Sequence, residues 1–226
     1  MIEVKKSKLS ARLRSALLRF RGARDGVAAV EFAYIAPILL VMLMATFEIS
    51  RAVSIDRRLN AVSAMASELV AREESVDQED LKNIYRSLAH ALKPYNDGSL
   101  VVRLIQVRTD TNGDTKVEWS TEISTASVTE TGEGSTPSLS TPYSQCTNYS
   151  IDSDLQQNGT RVVVAEVGYN YAPIFGDFVY RDFSLAKLKQ RRNDVTDLTG
   201  NWGSKAYHSP RWNCVAYGAD NCQTCP

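Results

Sequence analysis

Histidine is nearly missing from this chain: among 226 residues only His90 and His208 occur. Imidazole is the usual general base near neutral pH. With two histidines and no Ser/His/Asp, Cys/His or carboxylate-pair arrangement, nothing here points to an enzyme. Net charge is missing as well, since 26 Lys and Arg balance 26 Asp and Glu. Cysteine is scarce: Cys146, Cys214, Cys222 and Cys225 are the full set, all in the later part of the chain. Long apolar runs are scarce too, with one over residues 27–47. The chain is long enough for one domain plus extras.

What is present is unevenly distributed. Residues 1–25 carry Lys5, Lys6, Lys8, Arg12, Arg14, Arg19, Arg21 and Arg24 against Glu3 and Asp25. A basic arm alone can signal nucleic acid. Placed directly before an apolar run, it reads instead as the cytoplasmic flank of a membrane segment, and no nucleic-acid partner is expected. Leu9, Leu13, Leu17 and Phe20 give the arm one apolar side, suited to lying on anionic lipid.

The run at 27–47 is 21 residues, roughly 30 Å as a helix, about one hydrocarbon thickness. Pro37 lies inside it and predicts a local kink, which membrane helices tolerate. A cleavable secretory signal has a shorter apolar core and a small-x-small cleavage site, neither of which fits here. One carboxylate, Glu31, stands fifth in the run. Intramembrane carboxylates are costly and usually meet a partner or mark a function. Gly26 directly precedes the run. A cut after Gly26 would free a cationic amine on Val27, and residues i and i+4 share a helix face, so amine and carboxylate could compensate each other.

The string R-x-R-x-x-x-D-G-V-A-A-V-E-F-A-Y-I-A-P-I-L-L, followed by F-E-I-S-R with Glu48 and Arg51, resembles the TadE/TadF family. These are pseudopilins of the tight-adherence, or Flp, pilus apparatus. The resemblance is strongest over residues 19–71 and extends more weakly to about residue 178. It implies that a prepilin peptidase cuts between Gly26 and Val27, and that Glu31 serves processing or assembly. It also implies partners: other pseudopilins, the major pilin, an inner-membrane assembly platform and membrane lipid. The implied place is the bacterial inner membrane, single pass, N-terminus cytoplasmic and C-terminus periplasmic, with incorporation in the pilus left open. No cofactor and no metal is expected.

Beyond the run, apolar residues recur at helical spacing through Ile55, Leu59, Val62, Met65, Ala66 and Leu69, so one helix is expected over 27–72. Its small residues permit close packing, either on a partner or on the chain's own head. A charged break follows, where Ser75 with Gln78, or Asp77 with Asp80, forms a capping box. A second helix runs to about residue 93 with Leu81, Ile84, Tyr85, Leu88 and Leu92 on one face. His90 on that helix has no ligand spacing around it.

Residues 99–108 and 116–121 read as strands joined by a turn at Asn112-Gly113, and 161–171 as a third strand. Asp110, Asn112 and Asp114 begin like a calcium loop, but the glycine falls at the wrong position. Residues 121–145, rich in Ser and Thr, read as a long exposed loop. Lys187 to Arg192 reads as a solvated basic face. The four cysteines suggest an oxidising compartment and up to two disulfides, with three pairings open. A zinc site or a Cys222-x-x-Cys225 redox pair are the rival readings.

The expected fold is α+β: a long N-terminal transmembrane helix continuing into a periplasmic head, with a second helix packed on a small antiparallel sheet. The expected parts are a leader at 1–26, a membrane helix at 27–47, its extension at 48–72 and a head at 73–226. The head includes the loop at 121–145 and a Cys-rich tail at 212–226. The expected function is a minor pilin or assembly factor. The alternatives are an unprocessed signal-anchored binding or sensor protein, and a thiol oxidoreductase.

Overall fold

The computed structural model describes residues 26–95, 100–124, 137–169 and 202–218, with Cys222 and Cys225. The chain divides into two compact units, one ending at Phe47 and one beginning at Glu48. The amphipathic basic arm, Asn96-Asp97-Gly98, most of the expected loop at 121–145, the segment after Tyr169 and the Lys187–Arg192 cluster lie outside the described residues.

Helix α1 is Val27–Arg72, the bounds the apolar periodicity predicts. Its first part belongs to the first unit and is described with the candidate site below. In the second unit, α1 buries Ala52, Ile55, Leu59, Val62, Ala66 and Val70, spaced three or four residues apart. This stripe packs within its own head, in one cluster with the second helix and the sheet. Met65 leaves the stripe: it is 41% exposed, because Ala66 takes the inward position beside it.

Strand β1 (Ser75–Val76) follows. Helix α2 (Gln78–Leu92) then starts at an Asp77 cap. Asp77 Oδ1 accepts from the backbone N–H of Glu79 and of Asp80, each at 2.8 Å, and Asp77 N donates to Asp80 Oδ2 at 3.0 Å. The Asp80 N–H is the largest cause holding the Asp77 carboxyl below its ordinary range. Ser75 is not the cap. It is committed to the ladder opposite Ala216, and the residue adjoining the first helical turn is Asp77. Leu81, Tyr85, Leu88 and Leu92 of α2 are buried as their spacing predicts, while His90 is exposed.

The main sheet has five antiparallel strands in the order β4-β3-β2-β5-β6. These are β2 (Leu100–Thr109), β3 (Thr115–Ser124), β4 (Ser138–Ser140), β5 (Arg161–Tyr169) and β6 (Trp202–His208). Central β2 is buried along nearly all of its length because both of its faces are covered. Leu100, Val102 and Leu104 face the helices, and Ile105 and Val107 face a second cluster with Val117, Val162 and Val164. Tyr149 and Ile151 are buried in that second cluster, on what we term the back face, and Tyr143 packs against it.

Three sequence readings change here. The expected loop at 121–145 is shorter, since 121–124 finish β3 and 138–140 pair with it as β4. Residues 202–208, where no strand is expected from the sequence, form β6 beside β5. Late residues also return as β7 (Ala216–Tyr217), parallel to β1. The turn at Asn112-Gly113 is as expected, with Gly113 at φ +91°.

Candidate functional site

The first unit is where apolar surface lacks a core. From Val27 through Phe47 the large apolar side chains of α1 lie open: Phe32 is 66% exposed, Tyr34 77% and Leu43 71%. Helix α1 is long and apolar enough to cross a membrane. Its one hydroxyl in this stretch with a described partner, Thr46, donates to Met42 O at 2.8 Å, which satisfies it inside the helix. Pro37 is exposed and lies within α1, which continues on both sides of it.

Gly26 stands at the entry. Its carbonyl accepts the first helical hydrogen bond, from Val30 N at 3.0 Å. A Cβ built on Gly26 would meet nothing within 4 Å, and its backbone is outside the left-handed region. Neither space nor dihedral angle in the structure therefore requires a glycine. Val27 opens the helix, and Glu31 follows one turn later on the same face. Glu31 is exposed among apolar neighbours, and no described residue bonds to it.

In the second unit, the exit motif is split between two environments. Glu48 is fully buried. Arg51 lies over the ring of Tyr95 at 6.0 Å, and Arg58 over the same ring at 5.6 Å. Arg58 also donates to Lys93 O at 2.7 Å and to Ala91 O at 3.3 Å, closing carbonyls that the end of α2 leaves open. On the other flank of α1, Ser204 donates to Asn60 Oδ1 at 2.7 Å and meets Ser63 at 2.9 Å. Small residues of α1 thus seat it on β6.

The cysteines pair as Cys146–Cys225 and Cys214–Cys222, with Cα separations of 5.3 and 6.1 Å, within the usual disulfide range. The first joins the segment over the back face to the tail, and the pair of bonds is one of the three pairings that the sequence leaves open. Thiol chemistry at Cys222 and a four-cysteine zinc site both need sulfurs that these bonds occupy. The hairpin reading of Asp110 also holds: its Oδ1 accepts from the backbone N–H of Asn112 at 2.8 Å and of Asp114 at 3.0 Å. That is a turn closing on itself, with the oxygen already used.

Sequence reasoning missed a buried charge row on the back face. Arg103 of β2 is directly opposite Glu122 of β3 and Glu166 of β5, and Glu166 is directly opposite Lys205 of β6. Arg103 bonds Glu122 at 2.5 Å and approaches Glu166 at 3.9 Å, and Lys205 reaches Glu166 at 3.7 Å. Burial opposes the charge on Arg103, yet the hydrogen bond and charge of Glu122 raise its pKa above the ordinary value. Tyr149, buried over the row, donates to Glu166 Oε1. Burial and then the Glu166 charge push its phenol far above the ordinary range. One alternation in the sequence hints at the row, Arg103 between apolar residues, but its partners come from three distant segments.

Residues 26–68 match the family model described as TadE-like protein, a match that begins at Gly26 and ends within α1. No curated protein and no solved structure matches the chain. The match falls on the exposed apolar stretch and on the part of α1 that packs on the head, and over these residues the chain is similar to TadE-like proteins.

Proposed function

We propose that the protein is a membrane-anchored minor pilin or pseudopilin of a tight-adherence pilus, released from its leader by a prepilin peptidase at Gly26–Val27. The observation that carries the proposal is the entry to α1 inside a TadE-like match. There a glycine that the fold does not require directly precedes an exposed apolar helix bearing a carboxylate one turn in. A glycine unneeded for folding is accounted for by a reader of the extended chain, and a peptidase pocket that accepts no Cβ is such a reader. The family is one of structural pilus components, so the role is assembly rather than catalysis.

On this reading residues 1–26 are the cytoplasmic leader, 27–47 span the inner membrane, 48–72 extend α1 and 73–226 form the periplasmic head. The new Val27 amine and Glu31 lie at i and i+4, where opposite charges attract, within one chain or between neighbouring helices. In a low-dielectric setting that pairing lowers the cost of both charges and gives the helix a preferred depth and partner. Pro37 sets a bend between the two halves of the span. The partners are the peptidase, other pseudopilins, the major pilin, the assembly platform and membrane lipid.

The test is the N-terminus of the protein co-expressed with a prepilin peptidase, read by intact-mass spectrometry. A mature chain beginning at Val27 supports the proposal. A chain that keeps Met1–Gly26 beside active peptidase removes its central step and leaves the signal-anchored binding protein in its place.

A further inference from the structure

Two rows of charge cross the main sheet, on opposite faces. The row on the back face alternates in sign: Glu122, Arg103, Glu166, Lys205. The other does not. Arg108 of β2 stands directly opposite Lys116 of β3 and directly opposite Arg161 of β5. Directly opposed residues of antiparallel strands share a face, with Cβ atoms about 4.5–5.5 Å apart. Three cations therefore lie side by side over two strand spacings, roughly 10 Å.

Among the described residues, one carboxylate is bonded to the row. Glu118, 4% exposed, accepts from Arg161 Nε at 2.9 Å through Oε1 and at 2.8 Å through Oε2. Its Oε2 also accepts from Gln106 Nε2 at 2.7 Å, and Gln106 Oε1 in turn accepts from Val215 N at 2.8 Å. Glu118 is thus committed to Arg161 and to a bridge that holds the late part of the chain. Arg108, in the middle, has no described carboxylate within salt-bridge distance, and its Nε is buried without a hydrogen-bond partner. Like charges directly opposite one another destabilise a sheet, and a buried donor without a partner adds to the cost.

We propose that the row Lys116–Arg108–Arg161 binds an oxyanion of the phosphate class, with Arg108 as its anchor. A guanidinium offers pairs of parallel donors that match two oxygens of a phosphate. A phosphate offers several acceptor oxygens to Arg108, whose charge no described carboxylate meets. Arg108 and Lys116 are half-buried, so the row is reached from solvent at those two residues, while the Arg161 side chain is buried against Glu118. The phosphate is carried by a lipid headgroup or by a soluble ester, and the chemistry of the site is common to both.

The full chain in neutral detergent is titrated with inorganic phosphate, against chloride at matched ionic strength. Phosphate should bind saturably and raise the unfolding temperature beyond the chloride control. Arg108→Gln should weaken binding at least tenfold, with an unchanged near-ultraviolet spectrum. Arg108→Lys keeps the charge but loses the fork, so a several-fold loss is expected and decides the matter should the Gln variant fail to fold. Equal effects with glycerol phosphate identify a soluble ester. An Arg108-dependent rise seen only in nanodiscs that contain phosphatidylglycerol identifies a headgroup. Absence of any saturable effect in all arms, or effects that ignore Arg108, overturns the proposal.

Discussion

Tyr149 donates its phenolic hydrogen to Glu166, a carboxylate 2% exposed at the centre of the charge row. Lys205 covers the Tyr149 ring at 4.6 Å and also reaches Glu166, so the phenol, the carboxylate and the ammonium form one buried unit. Removing the hydroxyl as Tyr149→Phe leaves a buried acceptor short of a donor, at a cost of about 1–3 kcal/mol by chemical denaturation. The phenol's folded pKa lies above its unfolded value near 10, so its stabilising effect is complete below about pH 10 and is lost as pH rises beyond that. Wild type should therefore lose stability between about pH 10 and 11 more steeply than the Phe variant. Parallel alkaline melting curves for both proteins would sink this account.

The two charge rows should answer mutation in opposite ways. Arg103→Gln leaves Glu122 and Glu166 facing one another with only Lys205 to balance them. Breaking a buried pair from one side costs about 3–5 kcal/mol. Arg108→Gln, in the row of like charges, should cost little or raise stability in phosphate-free buffer. Urea midpoints of the two variants, measured together, check the contrast.

The disulfides should contribute unequally. Chain entropy over a separation of 79 residues gives about 4.5 kcal/mol for Cys146–Cys225, and over 8 residues about 2.5 kcal/mol for Cys214–Cys222. Replacing each pair by serine should therefore lower the melting temperature more in the first case. The first pair also holds the segment that covers the back-face cluster, so dye binding to exposed apolar surface should rise in that variant alone.

Glu31 should matter to handling by partners. Glu31→Ala or Glu31→Leu removes the only carboxylate between Val27 and Phe47. The expected result is impaired cleavage at Gly26–Val27, impaired pilus assembly, or both, read by N-terminal mass and by pilus counts on cells. Unchanged cleavage together with unchanged piliation contradicts the assigned role.

Local signals made the helices legible. Residues 27–72 carry a membrane-length apolar run joined to a three-to-four periodicity, and α1 has those bounds. The face of α2 follows from Leu81, Tyr85 and Leu88, and its cap from the Asp77 and Asp80 carboxylates, although Ser75 offered an equal pattern. The pairing of Ser75 decided between them, and that pairing is with Ala216, far along the chain. β6 was hidden for a similar reason. Its residues Gly203, Ser204 and Lys205 carry no strand signature, and their extended form comes from the open side of β5. The candidate site at Gly26, Val27 and Glu31 could be proposed from the sequence because it depends on local spacing alone. Both charge rows were not, because each is assembled from strands whose order the sequence does not state.

The parallel pairing of β1 with β7 has a consequence for biogenesis. Ser75 and Val76 follow closely on α1, but their partners Ala216 and Tyr217 are synthesised long afterwards. Val215, next to β7, is held from two sides, by Trp119 and by Gln106, and Arg211 N bonds Ala71 O at the end of α1. On the proposed reading α1 is inserted at once, while the head stays unlatched until residues 211–217 have been delivered. On that reading anchoring and maturation are separated in time, and a chain stalled or clipped before residue 211 would be anchored with its head unclosed.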